Sequence, residues 1–81
     1  MSVPAKAVNR WTWLRMLRDH GPAEPSVLLT LYTIGTHMDT HGFTFVGQER
    51  IAKGARTSAR SVRRHIAIAR RFGWLHVELA R

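Results

Sequence analysis

Ser58-Ala59-Arg60-Ser61-Val62-Arg63-Arg64-His65-Ile66-Ala67-Ile68-Ala69-Arg70-Arg71-Phe72 is the most sharply two-faced stretch of this 81-residue chain. Ser58 offers an N-cap oxygen and Gly73, directly after Phe72, suits the left-handed residue that closes a helix, so a helix is predicted over 58–72. At about 100° per residue, Arg64 and Arg71 fall within about 40° of Arg60, and Arg63 lies about 60° to the other side. Val62, Ile66 and Ala69 project about 180–240° away, where they can pack on neighbouring helices. Ala67 sits inside the arginine stripe and lets the helix backbone approach a surface closely.

Working upstream, Gln48 to Lys53 holds helix formers around the apolar pair Ile51-Ala52, and Gly54 limits it to about two turns. Phe43-Thr44-Phe45-Val46 is aromatic and β-branched and reads as a short strand ended by Gly47. Before it, Pro25 suits a first helical position. Val27, Leu28, Leu31, Tyr32 and Ile34 follow in the most apolar helix of the chain, which is predicted to end near Met38 before the turn Asp39-Thr40-His41-Gly42. Asn9 is an N-cap for a helix over Arg10 to His20 that carries Trp11, Trp13, Leu14 and Leu17, with Arg15 and Arg18 opposite, and Gly21-Pro22 stops it. Trp13 is expected in the core; Trp11 is left between partial exposure and a subunit contact. Residues 1–8 show no period and read as a flexible arm. Downstream, Leu75, Val77 and Leu79 alternate with His76 and Glu78, the pattern of a half-buried strand over 74–79. No repeat or linker divides the chain, so residues 9–81 read as one domain.

The charge is as uneven as the helix. Thirteen Lys and Arg face five Asp and Glu, for a net charge of +8. Eight of the basic residues (Arg50, Lys53, Arg56, Arg60, Arg63, Arg64, Arg70 and Arg71) fall within 50–71, where no acid occurs. A field of one sign over one segment steers a polyanion to it. The guanidinium fork reaches guanine N7 and O6 together or grips a phosphate at two points, and a helix of about 22 Å suits a B-DNA major groove about 12 Å wide. Thr57, Ser58 and Ser61 add hydroxyls and backbone N–H groups at the helix start, where a phosphate oxygen binds well, although plain capping competes for Ser58.

The order of these elements resembles a winged helix-turn-helix domain. The match is carried by Gly42-Phe43-Thr44-Phe45, Gln48-Glu49-Arg50-Ile51-Ala52, Ser58 through Ile66, and Phe72-Gly73-Trp74-Leu75. Within that class it is similar to replication-initiation proteins and regulators of bacterial plasmids and phages, and more loosely to GntR-type regulators. The resemblance implies a mainly α fold with a small β element: an extra N-terminal helix (9–20), a helix-turn-helix core (25–72) and a short two-stranded sheet ending in wing strand 74–79. It further implies that Ala59, Arg60, Ser61, Arg63 and Arg64 face the bases. Gln48, Arg50, Lys53, Arg56, Thr57, Ser58, Arg70 and Arg71 would lie near phosphates. Two departures stand out. The turn Gly54-Ala55-Arg56-Thr57 lacks the family's glycine nearer Ser58, and 74–79 leaves room for one wing strand only, as if the wing were truncated or the chain were part of a longer one.

Other chemistries find little footing. Without cysteine there is no disulfide framework or thiolate metal site, and a reducing, cytoplasmic location is expected. No apolar run approaches the ~20 residues of a membrane span, and a membrane partner is not expected. His37 and His41 share a helical spacing but lack a third ligand, so no metal is predicted. The scattered acids, and the lack of any phosphate-cradling or nucleophile motif, point away from an enzyme, a cofactor and a small-molecule ligand. His65, about 140° from Arg60, is expected at the core boundary. The functional expectation is sequence-specific binding of double-stranded DNA, in replication initiation or transcriptional regulation of a plasmid- or phage-type element, with a homodimer or further domains as additional partners. The alternatives are a non-specific architectural nucleic-acid binder and a protein-interaction winged helix.

Overall fold

Two side-chain caps and one proline set the starts of three helices. The Asn9 side chain accepts from the Thr12 N–H at 2.8 Å and opens α1 (Arg10–His20), and Ser58 accepts from Ser61 N–H at 3.1 Å and opens α4 (Ala59–Arg71). Pro25 begins α2 (Pro25–Thr36), its fixed φ already helical and its missing N–H no loss in the first turn. The fourth helix, α3 (Gln48–Gly54), follows Gly47. These elements come from a computed structural model that describes residues 9–76. The arm expected over 1–8 and positions 77–79 of the expected wing strand lie outside the described residues.

α2 is the hub: it packs against α1, α3 and α4. Its Val27, Leu31 and Ile34 are fully buried against Trp13 and Leu17 of α1, Ile51 and Ala52 of α3, and Val62, Ile66 and Ala69 of α4, with Met38 and Leu75 closing the cluster. The apolar face anticipated for α4 is thus the face that is buried. Threonines within α2 satisfy their hydroxyls locally, Thr33 donating to the Leu29 carbonyl at 2.8 Å and Thr36 to that of Thr33 at 2.6 Å. α1 comes close to α2 at Gly35, where an added Cβ would stand 2.6 Å from Leu14 Cδ2 and 3.2 Å from Trp13 Cζ3. The α1 side is also tied to the segment after α4: Trp13 Nε1–H donates to the Trp74 carbonyl at 3.1 Å, and the two indoles meet edge to face with centroids 6.4 Å apart.

No strand or sheet forms among the described residues, which hold four helices and only single bridge positions at Phe43 and His76. This overturns the winged architecture expected from the sequence. The cause at 43–46 is competition for backbone donors. The Asp39 carboxylate accepts from the N–H of His41 at 2.8 Å and of Phe43 at 3.0 Å, Asp39 N–H bonds the Phe43 carbonyl at 2.8 Å, and Thr44 Oγ1 takes the Val46 N–H at 3.2 Å. Gly42, with φ of 82°, lets the loop close. The segment turns back on itself instead of offering a ladder, and Phe45 is left 94% exposed. At 74–75 the chain is occupied by the end of α4: Trp74 N–H reaches the Ala69 carbonyl at 2.8 Å and Gly73 N–H that of Arg70 at 3.1 Å, with Gly73 at φ 80°. That is a Schellman closure, and it consumes the residues expected to start the wing.

The same closure ends α3, on a different residue. Thr57 N–H bonds the Ala52 carbonyl at 3.0 Å and Arg56 N–H that of Lys53 at 3.4 Å, which puts Arg56 in the left-handed position with φ 57°. Gly54, which the sequence suggested as the stop, is instead the last helical residue, where a Cβ would lie 2.7 Å from Thr33 Cγ2 of α2. The close α2–α3 approach reserves the glycine, and the strained conformation passes to an arginine. Placing a side chain there costs about 1–2 kcal/mol relative to glycine.

Two measurements follow from this packing. Trp13→Ala is expected to lower unfolding free energy by about 3–5 kcal/mol, through the cavity it leaves in the core. Trp11→Ala, at a site 63% exposed, should change it by less than about 0.5 kcal/mol. Urea denaturation followed by circular dichroism distinguishes the two; equal effects would mean that Trp11 is also a packing residue.

Candidate nucleic-acid interface

With its apolar side committed to α2 and α3, α4 turns Arg60, Arg63, Arg64, Ala67, Arg70 and Arg71 outward, all exposed. Arg50 and Lys53 on α3 and Arg56 in the turn are exposed too, so all eight basic residues of the 50–71 segment face solvent. Among the described residues only one of them, Arg64, enters an ion pair. The other seven are outside any ion pair among the described residues, and such a concentration of one sign gives a surface field that attracts a polyanion.

The stripe has two distinct edges. On the α3 side, Ala59 and Arg63 form a groove of about 340 Å³ with Gly47, Gln48 and Glu49. The fold thereby brings together Gln48, Ala59 and Arg63, three residues singled out from the sequence. It also adds Glu49, which was not. The acid suits the first turn of α3 by charge–dipole attraction. Between the edges, Arg60, Ala67 and Arg71 share the middle of the helix face by their spacing.

On the other edge Arg64 reaches towards the start of α2. Its Nη2 lies 3.2 Å from Glu24 Oε1 and 3.2 Å from His65 Nε2. Since the guanidinium can only donate, His65 Nε2 must carry the lone pair, so the ring proton sits on Nδ1 and is donated to Thr30 Oγ1 at 2.7 Å. His65 is a neutral imidazole buried to 1% exposure, deeper than the boundary position its spacing suggested. Burial pushes its pKa below the ordinary value, and the adjacent Arg64 charge adds to this against a smaller opposing pull from Glu24. Hydrogen bonds from Ser26 and then Arg64 hold the Glu24 carboxyl below its usual range.

The hydroxyls at the start of α4 are less free than the arginines. Ser58 Oγ accepts the Ser61 N–H and donates to Ser61 Oγ at 3.1 Å, so both side chains are engaged in the cap. Thr57 is half-buried. The histidines at 37 and 41 are exposed, and among the described residues no group of three or more His, Cys, Asp or Glu side chains is placed to hold a metal ion. Nor is any helix among them long and apolar enough to cross a membrane.

The buried neutral His65 sets a pH dependence. Below about pH 6.5 the unfolded chain takes up a proton that the folded ring resists, so stability is complete above that value, falls as the pH drops through it, and goes on falling until the folded ring titrates. Denaturation midpoints measured between pH 8 and pH 5 should decline for the native sequence and be flatter for His65→Leu. An unchanged slope would show that the decline comes from other groups. Arg56→Gly should raise stability by about 0.5–1 kcal/mol by relieving the left-handed arginine, and a loss of stability in thermal melts would contradict the strain assigned to that turn.

No family model, curated protein or solved structure matches this chain.

Proposed function

We propose that this domain binds double-stranded DNA and reads its sequence through α4, lying in the major groove with Arg60, Arg63 and Arg64, together with Ala59 and Ser61, towards the base edges. The observation that carries the reading is the run of eight exposed basic residues on α3, the turn and α4, seven of them outside any ion pair among the described residues. A helix of 13 residues is about 20 Å long, and its width suits the groove. Gln48, Arg50, Lys53, Arg56, Thr57, Ser58, Arg70 and Arg71 are assigned to the flanking phosphates, with Thr57 and Ser58 contributing least because they are half-buried or capping. Such a module serves replication initiation or transcriptional regulation of a plasmid- or phage-type element, and its working location is then at nucleoid or plasmid DNA.

A second reading takes the same charges as phosphate neutralisers without base recognition, as in an architectural binder, and the unpaired cations favour it equally. Selection from a random duplex library at about 150 mM salt, repeated at low salt, separates the two. An enriched motif surviving the higher salt supports sequence reading, and the spacing of its half-sites reports whether two copies bind. Arg60→Ala should then cost about 1–3 kcal/mol on the selected site and little on random duplex. Equal losses on both, or no motif, would leave a phosphate binder only.

A further inference from the structure

Arg64 differs from the other arginines of the stripe in being held. The contacts form a continuous chain: Ser26 Oγ donates to Glu24 Oε1 at 3.0 Å, the same oxygen receives Arg64 Nη2 at 3.2 Å, that nitrogen also reaches His65 Nε2 at 3.2 Å, and His65 Nδ1 bonds Thr30 Oγ1 at 2.7 Å. Both ends of the chain, Ser26 and Thr30, sit on α2 one helical turn apart. The inner end is rigid, because His65 is buried and its tautomer is dictated by its two partners. The outer end is half exposed on both Arg64 and Glu24. Only Nη2 is engaged: the Nε and Nη1 donors of Arg64 have no partner among the described residues, which leaves three N–H groups open to an outside acceptor.

We propose that Glu24 and His65 are positioning residues that aim the Arg64 guanidinium, holding its Nη2 so that the Nε and Nη1 donors, which lie on different edges of the group, offer single hydrogen bonds to the nucleic acid in one orientation. The inference rests on the reading of α4 as the DNA-contacting helix. An untethered arginine loses much side-chain freedom when it docks and accepts any phosphate within reach. One already oriented by two acceptors loses less at the matched geometry and gains little elsewhere, so the tether acts on discrimination more than on affinity. Glu24 is separated from Arg64 by 40 positions in the chain and contributes no donor of its own to a base or phosphate.

The test uses the whole chain and compares Glu24→Gln, Arg64→Ala and the double variant on two duplexes, the best selected site and a scrambled one of equal length. Removing the acid raises affinity for both duplexes alike through charge, so the ratio of the two affinities is the informative quantity. Glu24→Gln should lower that ratio about threefold, the range of an exposed ion pair. Arg64→Ala should lower it about tenfold, the lower part of the range for one hydrogen bond from a charged group. The double variant should match Arg64→Ala, since Glu24 acts only through that side chain. Equal effects of Glu24→Gln with and without Arg64 would mean that the acid works by charge alone and would overturn the proposal. So would Arg64 Nη signals in nitrogen-15 spectra of the free protein that are as fully averaged as in Glu24→Gln. If the native chain shows no preference between the duplexes while its Arg64 signals are restrained, sequence reading itself fails, and the role of the tether in discrimination falls with it.

Discussion

Everything in this domain leans on the burial of one stripe of α4 against α2. Val62, Ile66 and Ala69 lose nearly all contact with water there, joining Val27, Leu31 and Ile34. A helix that is apolar along one side and arginine-rich along the other has a single stable rotation on such a surface, because any other would bury guanidinium groups without partners. The outward display of Arg60, Arg63, Ala67 and Arg71 is therefore a consequence of core packing rather than a separate design. α3 closes a flank of the core with Ile51 and Ala52, and α1 adds Trp13 and Leu17 to the same cluster.

The same burial creates the polar problem that the fold then solves. His65 lies next to Ile66 on the buried side of α4 and cannot reach water. A neutral ring with one donor and one acceptor needs two partners, and it finds Thr30 on α2 and the neighbouring Arg64. The first bond ties α4 to α2 through the core. The second draws a charged side chain to the edge of the core, where Glu24 also accepts from it. A structural histidine thus ends by influencing the geometry of the surface.

Strain and close approach are exchanged in a similar way at the turn between α3 and α4. Glycine is the residue best able to take the left-handed position after a helix, yet the glycine available, Gly54, stands two residues earlier, against Thr33. Arg56 takes the position instead. The cost falls on an exposed basic residue beside the proposed contact surface.

Helices were legible because their signals are local. Asn9 and Ser58 as caps, Pro25 as a first residue, Gly73 as the closing residue and the apolar spacing of α2 and α4 each act within a turn or two of the chain, and each appears where the spacing placed it. The two faces of α4 and the exposure of its arginines belong to this class, since a period of 3.6 residues separates them before any partner is known. The strand predicted at 43–46 is absent because β-structure is completed by a neighbour: at Phe43-Thr44-Phe45-Val46 the β-branched and aromatic pattern was present, but Asp39 and Thr44 hold the N–H groups of Phe43 and Val46 locally. Equally, nothing near Arg64 in the chain announces Glu24, and nothing in the spacing of His65 names Thr30; those pairings span 40 and 35 residues. The sequence by itself determined which side of each helix would be apolar and where the positive charge would gather, because both are properties of a single helix. Only the tertiary structure decided which arginine is held, which residue bears the left-handed turn and that no sheet forms among the described residues, because each of these depends on which groups from distant parts of the chain compete for the same hydrogen bonds and the same space.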